Sequence, residues 1–439
     1  MTASIPDDDL NDLFALASTE KRVALAVSGG GDSMALLSLA ERWARIGGPG
    51  LHVLTVDHGL RPESADEAQA VAAFCASRGI AHETLHWKSG PDDRGNLSHR
   101  ARNGRYGLMA HACSARGIGT LLTGHTLDDQ AETVLMRLGR GSGVDGLAAM
   151  EPVASLWGLR ILRPLLGVRR EALRHLLRAA GLSWHDDPTN EDRAYRRIVA
   201  RDALEALAVL GITHERLALT AEAMADARQV LDDRATALSA ELCEFSPLGY
   251  VRLAPSPLAA APRETARRLV ARLLCAVSGA VYRPRLEALT ALLDAIVQTG
   301  FQGSTLHGCR IDPVGERIVI QREPNACTAR LPCADAAQWD NRFCIAVPPA
   351  LATRSDIHIA AAGAEGLRLL KKAKHRAPEI WSSAPRPARL CSPALWRGSE
   401  LLAIPLAQYS ILPEASECRV MLIAGSGATM VDPATEDFI

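Results

Sequence analysis

The sequence predicts an α/β protein, with a Rossmann-like doubly wound parallel sheet first, a helical domain second and a small mixed or β domain last. Three observations carry this. Strand and helix signals alternate through roughly the first 200 residues, which in a compact domain means βαβ crossovers and a sheet covered on both faces. Helical spacing then runs with little interruption from 203 to 300. Beyond 322 prolines become frequent and apolar runs short. These shifts place domains at 1–215, 216–322 and 323–439.

The first strand is VALAV (23–27), a short apolar run ending in glycines, and SMALLSLAERWARI carries apolar residues at helical spacing up to the breaker GGPG. LHVLTV (51–56) is a strand, ESADEAQAVAAFCASRG a helix, HETLHW a strand, SHRARNGRYGLMAHACSARG a helix, TLLTG a strand and DDQAETVLMRLG a helix. After the turn-rich RGSGVDGLAAM, the segment RPLLGVRREALRHLLRAAG reads as a basic amphipathic helix led by Pro164 and broken by DDPTN (186–190). The helical domain contains ALEALAVLG, ERLALTAEAMADARQVLDDRATALSAEL, RETARRLVARLLCAVSG and RPRLEALTALLDAIV. In the last domain SPALWRGSELLAIPLAQY is spaced as a hairpin around Arg397 to Glu400.

Hydrophobic residues at 48% and charged residues at 23% exclude a disordered or fibrous chain. No apolar run is long enough to span a bilayer, and the N-terminal MTASIPDDDLNDL is acidic where a signal peptide is basic and then apolar. A cytoplasmic protein with no membrane partner is therefore expected. Ten cysteines without a C-x-x-C pair predict free, mostly buried thiols in place of a zinc ribbon or a disulfide framework. The net charge is 49 minus 50, or −1. Arg160 to Arg201 nevertheless sums to +5, ten Arg against Glu171, Asp186, Asp187, Glu191 and Asp192, and Lys88 to Arg116 sums to +4, six bases against Asp92 and Asp93. Basic segments inside a neutral chain fit a confined nucleic-acid footprint; the alternative is a solvated, arginine-rich helix face.

At the end of the first strand stand Ser28, Gly29, Gly30, Gly31, Asp32 and Ser33, followed at once by a helix. Glycines let backbone N–H groups turn inward and the helix N-terminus adds partial positive charge, so the loop suits a polyphosphate. It lacks both G-K-[ST] and G-x-G-x-x-G, which disfavours a P-loop kinase and a simple dinucleotide dehydrogenase. Asp128, Asp129 and Glu132 fall within one turn at the start of a helix, where Asp129 and Glu132 project together. Such a carboxylate pair can grip an ammonium, whereas a helix cap needs only one acid. Trp43, Trp87 and Trp184 are expected in packing.

SGGxDS after the first strand of a parallel sheet resembles the ATP pyrophosphatases of the adenine nucleotide alpha hydrolase type. The resemblance sharpens to bacterial tRNA(Ile)-lysidine synthetases over residues 21 to 201, through Asp57, His58, Gly59, Leu60 and Arg61 (D-H-G-L-R), Ala101, Arg102, Arg105 and Tyr106 (A-R-x-x-R-Y), and Gly124, His125, Asp128, Asp129, Gln130, Glu132 and Thr133 (H-x-x-D-D-Q-x-E-T). Arg140 to Gly143 with Gly146 and Leu147, then Arg163 to Leu166, and then Asp187, Asn190, Asp192, Tyr195 and Arg196 continue the pattern. Two departures stand out: Arg197 and Ile198 follow Arg196 where the family shows Asn after Arg, and His307 replaces a Gly in T-L-G-G-C.

The resemblance implies ligation of free L-lysine to C2 of the wobble cytidine of CAU-anticodon tRNA(Ile). ATP first adenylates the cytosine C2 oxygen with loss of pyrophosphate; the lysine amine then displaces AMP, and codon specificity changes from AUG to AUA. It implies ATP at Ser28, Gly29, Gly30, Gly31, Asp32, Ser33, Asp57, His58, Gly59 and His125, with Mg²⁺ on Asp32. Arg102 and Arg105, three apart on a helix, are placed to stabilise the α-phosphate. Lysine falls to Asp129 and Glu132, with its deprotonation open between Asp32 and Asp129. The tRNA falls to Arg140, Ser142, Arg163, Arg196 and Arg197. His125 either bonds phosphate or holds its turn. A homodimer is compatible with the sequence. Two other readings compete: a tRNA cytidine thiolase, disfavoured by the missing cysteine pairs and by Gly31 where thiolases tend to carry Lys, and a tRNA-binding protein without catalysis, disfavoured by intact Asp32, Asp129 and Glu132.

Overall fold

The computed structural model describes residues 5–57, 59, 63–87, 97–156, 158–185, 196–298, 300–334 and 336–423, without the side chains of 63, 97–103 and 336. His58, Leu60, Arg61 and residues 186–195 lie outside the described residues, as does the side chain of Arg102. The chain forms two compact units, which divide after Arg228.

The first unit is the doubly wound sheet. Its strands are β1 (Arg22–Ala26), β2 (Gly50–Asp57), β3 (Ala81–His86), β4 (Thr120–Thr123), β5 (Val153–Leu156) and β6 (Leu159–Leu162), in the order β3-β2-β1-β4-β6-β5. Neighbours are parallel except for the β5–β6 edge hairpin. The helices are α1 (Asp7–Leu13), α2 (Gly31–Arg45), α3 (Glu63–Ser77), α4 (Leu97–Ser114), α5 (Leu127–Leu138), α6 (Val144–Leu147), α7 (Arg170–Ala179), α8 (Arg196–Leu207) and α9 (His214–Leu242), the last running past the unit boundary.

Alternation along β1 explains both covered faces. Val23 and Leu25 enter a core with Leu10, Phe14, Leu36, Leu37, Leu39 and Leu173, while Ala24 faces a second core with Leu54, Tyr106, Met109, Cys113 and Leu121. Trp43 stacks on Phe14 at 4.6 Å between ring centroids, and Trp184 packs against the first core, as packing residues should. A Cβ on Gly104 would fall on the indole of Trp87, so that glycine gives the ring its room. The strand order reverses between β1 and β4, and the carboxyl ends flanking such a reversal are where open α/β sheets bind ligands. The basic helix expected from Pro164 starts six residues later, at Arg170, because Asp128 Oδ2 accepts the Arg170 N–H at 2.7 Å and sets the first turn there.

The second unit begins at Gln229. Its helices α10 (Pro255–Ala260), α11 (Arg263–Ser278) and α12 (Leu286–Ile296) bear out the helical region. The structure adds an antiparallel sheet that periodicity did not give: β7 (Cys243–Ser246), β8 (Tyr250–Leu253), β9 (Ser304–Leu306), β10 (Cys309–Val314) and β11 (Arg317–Arg322), ordered β7-β8-β11-β10-β9. Leu269, Leu273 and Leu274 of α11 pack with Leu253, Ile311 and Ile320 of that sheet.

Further along, β12 (Leu331–Pro332), β15 (Ile357–Ala361), β16 (Pro393–Arg397), β17 (Glu400–Ile404) and β18 (Tyr409–Ser410) form one sheet; β13 (Ala336–Trp339), β14 (Phe343–Ala346) and β19 (Arg419–Leu422) form another. Helices α13 (Pro349–Ala352), α14 (Gly363–Lys372), α15 (Glu379–Ser382) and α16 (Arg386–Leu390) lie between these strands in sequence. The expected hairpin is present, with Arg397 paired to Glu400. Leu248, Tyr250 and Val319 share a core with Trp381, Ala394 and Ile404, so residues on both sides of position 322 meet inside the second unit. All ten cysteines are free, and eight of them are buried. Among the described residues no helix is long and apolar enough to cross a membrane.

Candidate active site

Two loops at the carboxyl ends of β1 and β4 build the site. In the first, Gly29 takes φ +90°, a left-handed conformation open to glycine without strain. Ser33 Oγ donates to the Gly30 carbonyl at 2.9 Å and accepts the Ser28 N–H at 3.2 Å, which folds the loop back on the first turn of α2. A Cβ on Gly31 would sit 3.3 Å from the Trp184 ring, so the indole confines that position to small residues.

In the second loop, Thr126 caps α5. Asp129 Oδ2 accepts both the Thr126 N–H at 2.7 Å and its hydroxyl at 3.0 Å, and the Thr126 hydroxyl accepts the Asp129 N–H at 3.3 Å, a reciprocal capping box. Asp129 thus does cap the helix, but with one oxygen; Oδ1 is turned to Arg170 and Arg197. His125 is buried and its Nδ1 bonds Thr123 Oγ1 at 2.9 Å, which fixes the imidazole in the turn. The two loops press together at Gly124, where a Cβ would lie 2.9 Å from the Asp32 carbonyl oxygen. Any side chain there would force Asp32 and Asp129 apart.

One guanidinium joins the acids. Arg170, the first residue of α7, donates from Nε to Asp32 Oδ2 at 2.9 Å, from NH2 to Asp129 Oδ1 at 2.7 Å and from NH1 to Glu132 Oε1 at 3.3 Å. Arg197 of α8 reaches Glu132 Oε2 at 2.7 Å and Asp129 Oδ1 at 3.4 Å, and Arg201 reaches Glu132 Oε1 at 3.1 Å. Glu132 is fully buried, a position a carboxylate holds only when paired. Burial raises the Asp32 carboxyl above its ordinary value, and Arg170 offsets only part of that. For Asp129 burial pushes the same way but is outweighed, by Arg197 first and Arg170 next, so the carboxyl is held down at about 2. Burial acts against the charge on Arg170, but its carboxylate partners prevail and raise its pKa.

Other expected residues are placed differently. Asp57 Oδ1 accepts the Ser64 hydroxyl at 2.6 Å and the Gly59 N–H at 2.9 Å, bonds that lower its pKa and lock the turn after β2. The guanidinium of Arg105 lies 5.4 Å from the Tyr106 ring centroid. Arg140 is exposed and Ser142 half-buried in the loop before α6. That loop is shaped by Arg137, which is buried and donates to the carbonyls of Gly146 and Ala149 at 2.9 and 3.1 Å.

Two arginines expected on tRNA phosphates are turned to groups of the protein. Arg163 is buried and donates to the Glu151 carbonyl at 2.7 Å, so it holds main chain. Arg197 is turned onto Glu132 and Asp129, because their buried charge demands a nearby cation. Arg196 beside it is exposed. The residue missed altogether is Arg170; its sequence signal was only membership in a basic helix.

A family model described as a PP-loop domain matches residues 5–207. The tRNA(Ile)-lysidine synthase of Ruegeria pomeroyi is 43% identical over 91% of this chain and 92% of its own length. That of Wolbachia pipientis wMel is 38% identical over 73% of this chain and 76% of its own, and that of Mesorhizobium japonicum 38% identical over 90% and 86%. A solved U34-tRNA thiolase from Methanococcus maripaludis aligns with a TM-score of 0.43 at 20% identity, covering 50% of this chain and 77% of that one.

Proposed function

The chain belongs to the tRNA(Ile)-lysidine synthase family of enzymes, and from that premise we propose that it joins free L-lysine to C2 of the wobble cytidine of CAU-anticodon tRNA(Ile), using ATP and passing through an adenylated tRNA. The observation that carries the reading is the convergence of the loop carboxylate Asp32 with the pair Asp129 and Glu132 on one guanidinium. The first acid belongs to the nucleotide step and the pair to the amine step.

In this reading the Ser28 to Ser33 loop and the N-terminus of α2 take the phosphates of ATP, and the Asp57 to Gly59 turn borders the adenine. Arg102 and Arg105 of α4 are assigned to the α-phosphate. Asp32 offers the hard oxygen that Mg²⁺ prefers, and magnesium sites of this kind take one or two carboxylates plus substrate phosphates. The single acid in the loop therefore fits. Bound there, the ion supplies neutralisation of charge on the departing pyrophosphate.

Lysine brings an ammonium whose ordinary pKa is about 10.4, so the attacking amine must lose a proton. A buried carboxylate pair binds such a cation strongly, and Asp129, held at about 2, is suited to gripping an ammonium in preference to removing its proton. Arg140, Ser142 and Arg196 are assigned to the tRNA backbone, and the segments 216–322 and 323–439 to the rest of the tRNA.

The test is purified protein with ATP, labelled L-lysine and CAU-anticodon tRNA(Ile). The expected result is lysine fixed in the tRNA with AMP and pyrophosphate released in equal amount. Sulfur transfer without lysine incorporation would make the protein a thiolase, and tRNA binding without AMP formation would make it a non-catalytic binder.

A further inference from the structure

Among the described residues every acid of the cluster already has an arginine partner before any substrate arrives. Asp32 pairs with Arg170, Asp129 with Arg170 and Arg197, and Glu132 with Arg170, Arg197 and Arg201. An ammonium added to a largely buried cluster whose acids are already paired would lose its hydration without gaining an unpaired partner, which is unfavourable by the same desolvation that governs every buried charge. A resident cation must therefore give way.

Arg170 is the candidate that geometry selects. Among the described residues it alone pairs with all three acids, at 2.9, 2.7 and 3.3 Å, whereas Arg197 pairs with Asp129 and Glu132 and Arg201 with Glu132. Its main chain is pinned, because the Asp128 carboxylate accepts its N–H at 2.7 Å and also holds neighbouring Arg169 at 3.2 Å. What can move is the long side chain, at the rate of a rotamer change and with no helix displaced. Its Nε–Asp32 bond ties the loop carboxylate to the amine pair, so release from one is release from both.

We infer that Arg170 is a built-in stand-in for the lysine ammonium: its guanidinium holds Asp129 and Glu132 ready in the lysine-free enzyme, and the arriving amine displaces it from them and from Asp32 together. It is a positioning and specificity residue for the amine step, and the inference rests on the proposed lysine reaction. Reciprocity follows, since whatever draws Asp32 away from Arg170 loosens the guanidinium on the pair by the same free energy.

The test is lysine incorporation at saturating ATP and CAU-anticodon tRNA(Ile) by the wild type, Arg170→Ala and Arg170→Lys, with thermal melting as the check on folding. A residue that only supports the fold, or that contacts lysine directly, raises the lysine KM when removed. A displaced competitor lowers it. The expected result is a lysine KM about tenfold lower in Arg170→Ala, with kcat reduced, the loss of charge-assisted competing bonds making the difference. Arg170→Lys should fall between, because a point-charge ammonium cannot span three carboxylates as a planar fork does. Low-millimolar guanidinium ion should compete with lysine in Arg170→Ala and not in the wild type. An unchanged or raised lysine KM in a folded Arg170→Ala overturns the inference; if that variant does not fold, the KM of Arg170→Lys decides on the same criterion. Absence of lysine incorporation by the wild type overturns the functional reading and the inference with it, whereas incorporation with a raised KM in the variants overturns the inference alone.

Discussion

In the second unit Asp340 receives Arg322 at 3.0 Å and Arg342 at 2.6 Å, and these arginines also donate to the main-chain carbonyls of Gly308, Ala326 and Cys391. In the first unit Arg170 spends all three of its nitrogens on side-chain carboxylates. Both clusters are largely buried and both are rich in arginine. They differ in what can exchange. A main-chain carbonyl keeps its arginine as long as the strand or turn exists, so the Asp340 cluster is part of the fold. Carboxylates carried on α2 and α5 accept other cations of suitable reach, so in the proposed reading the Arg170 cluster trades partners without unfolding. The kind of acceptor thus separates an arginine held by main chain from one held only by side-chain carboxylates.

The strongest way to break the comparison is Asp340→Asn, which keeps a residue tolerant of the left-handed φ of +52° at that position and removes the charge. Stability should fall by about 3 kcal/mol, the order of loss when a buried pair is broken from one side. Denaturant unfolding measures it, and the lysine KM of the folded fraction should not change. If KM moves with stability, the two clusters are not distinct in kind.

Asp32→Asn should lower tRNA-dependent pyrophosphate release by about a hundredfold, equivalent to about 2.7 kcal/mol, while tRNA binding holds. Near-normal release would remove Asp32 from the nucleotide step. Glu132→Gln should raise the lysine KM about thirtyfold, roughly 2 kcal/mol for one charged hydrogen bond, and still let adenylated tRNA accumulate. Failure of adenylation with unchanged lysine dependence would assign the pair to ATP instead.

Acid titration sharpens the same contrast. The folded Asp129 carboxyl lies at about 2, below its ordinary 3.8, so its stabilisation is present above about pH 4 and is lost as pH falls towards 2. Asp32, raised by burial, runs the other way: its contribution is present below its unfolded pKa and is lost as pH rises through the higher folded one. Asp129→Asn should therefore flatten the loss of stability between pH 4 and 2, by roughly 2 kcal/mol or less. An unaltered acid limb in an unfolding series across that range would mean that Arg170 and Arg197 do not hold this carboxylate.

The smallest effect belongs to exposed Arg196. Arg196→Ala should weaken cognate and non-cognate tRNA alike, with the salt slope reduced by about 0.7 to 0.9 for each phosphate that the side chain neutralises, and change stability by no more than about 0.5 kcal/mol. A binding series across salt concentrations in which the slope does not move would leave that face merely solvated.

What sequence reading captured was local. The Ser28 to Ser33 loop and the Thr126 to Glu132 turn are contiguous, and their backbone needs are written in adjacent glycines, serines and acids. His307 is similar: it stands at φ +57°, which explains why the family pattern has glycine there, and the tertiary bond from its Nε2 to the Tyr282 carbonyl at 2.7 Å helps to hold the exception. The sheet of the second unit escaped because its strands are three to six residues long and interrupt a helical stretch, although Gly315 between the alternating β10 and β11 was a hairpin signal. The intramolecular partners of Arg163 and Arg197 escaped for a different reason. A local charge sum counts arginines, and it cannot see carboxylates or carbonyls that other loops bring to them.

By itself the sequence determined the doubly wound sheet, the phosphate-shaped loop at its first strand and the capped acidic helix, since periodicity, glycine conformation and helix capping act over a few residues. Only the tertiary structure decided which arginines serve those acids. Arg170 meets Asp32 across 138 residues of chain, and Arg197 meets Glu132 across 65. Over such separations the partner is chosen by the sheet order that sets β1 beside β4, by Gly124 letting their loops touch, and by the desolvation that makes a buried carboxylate without a cation costly.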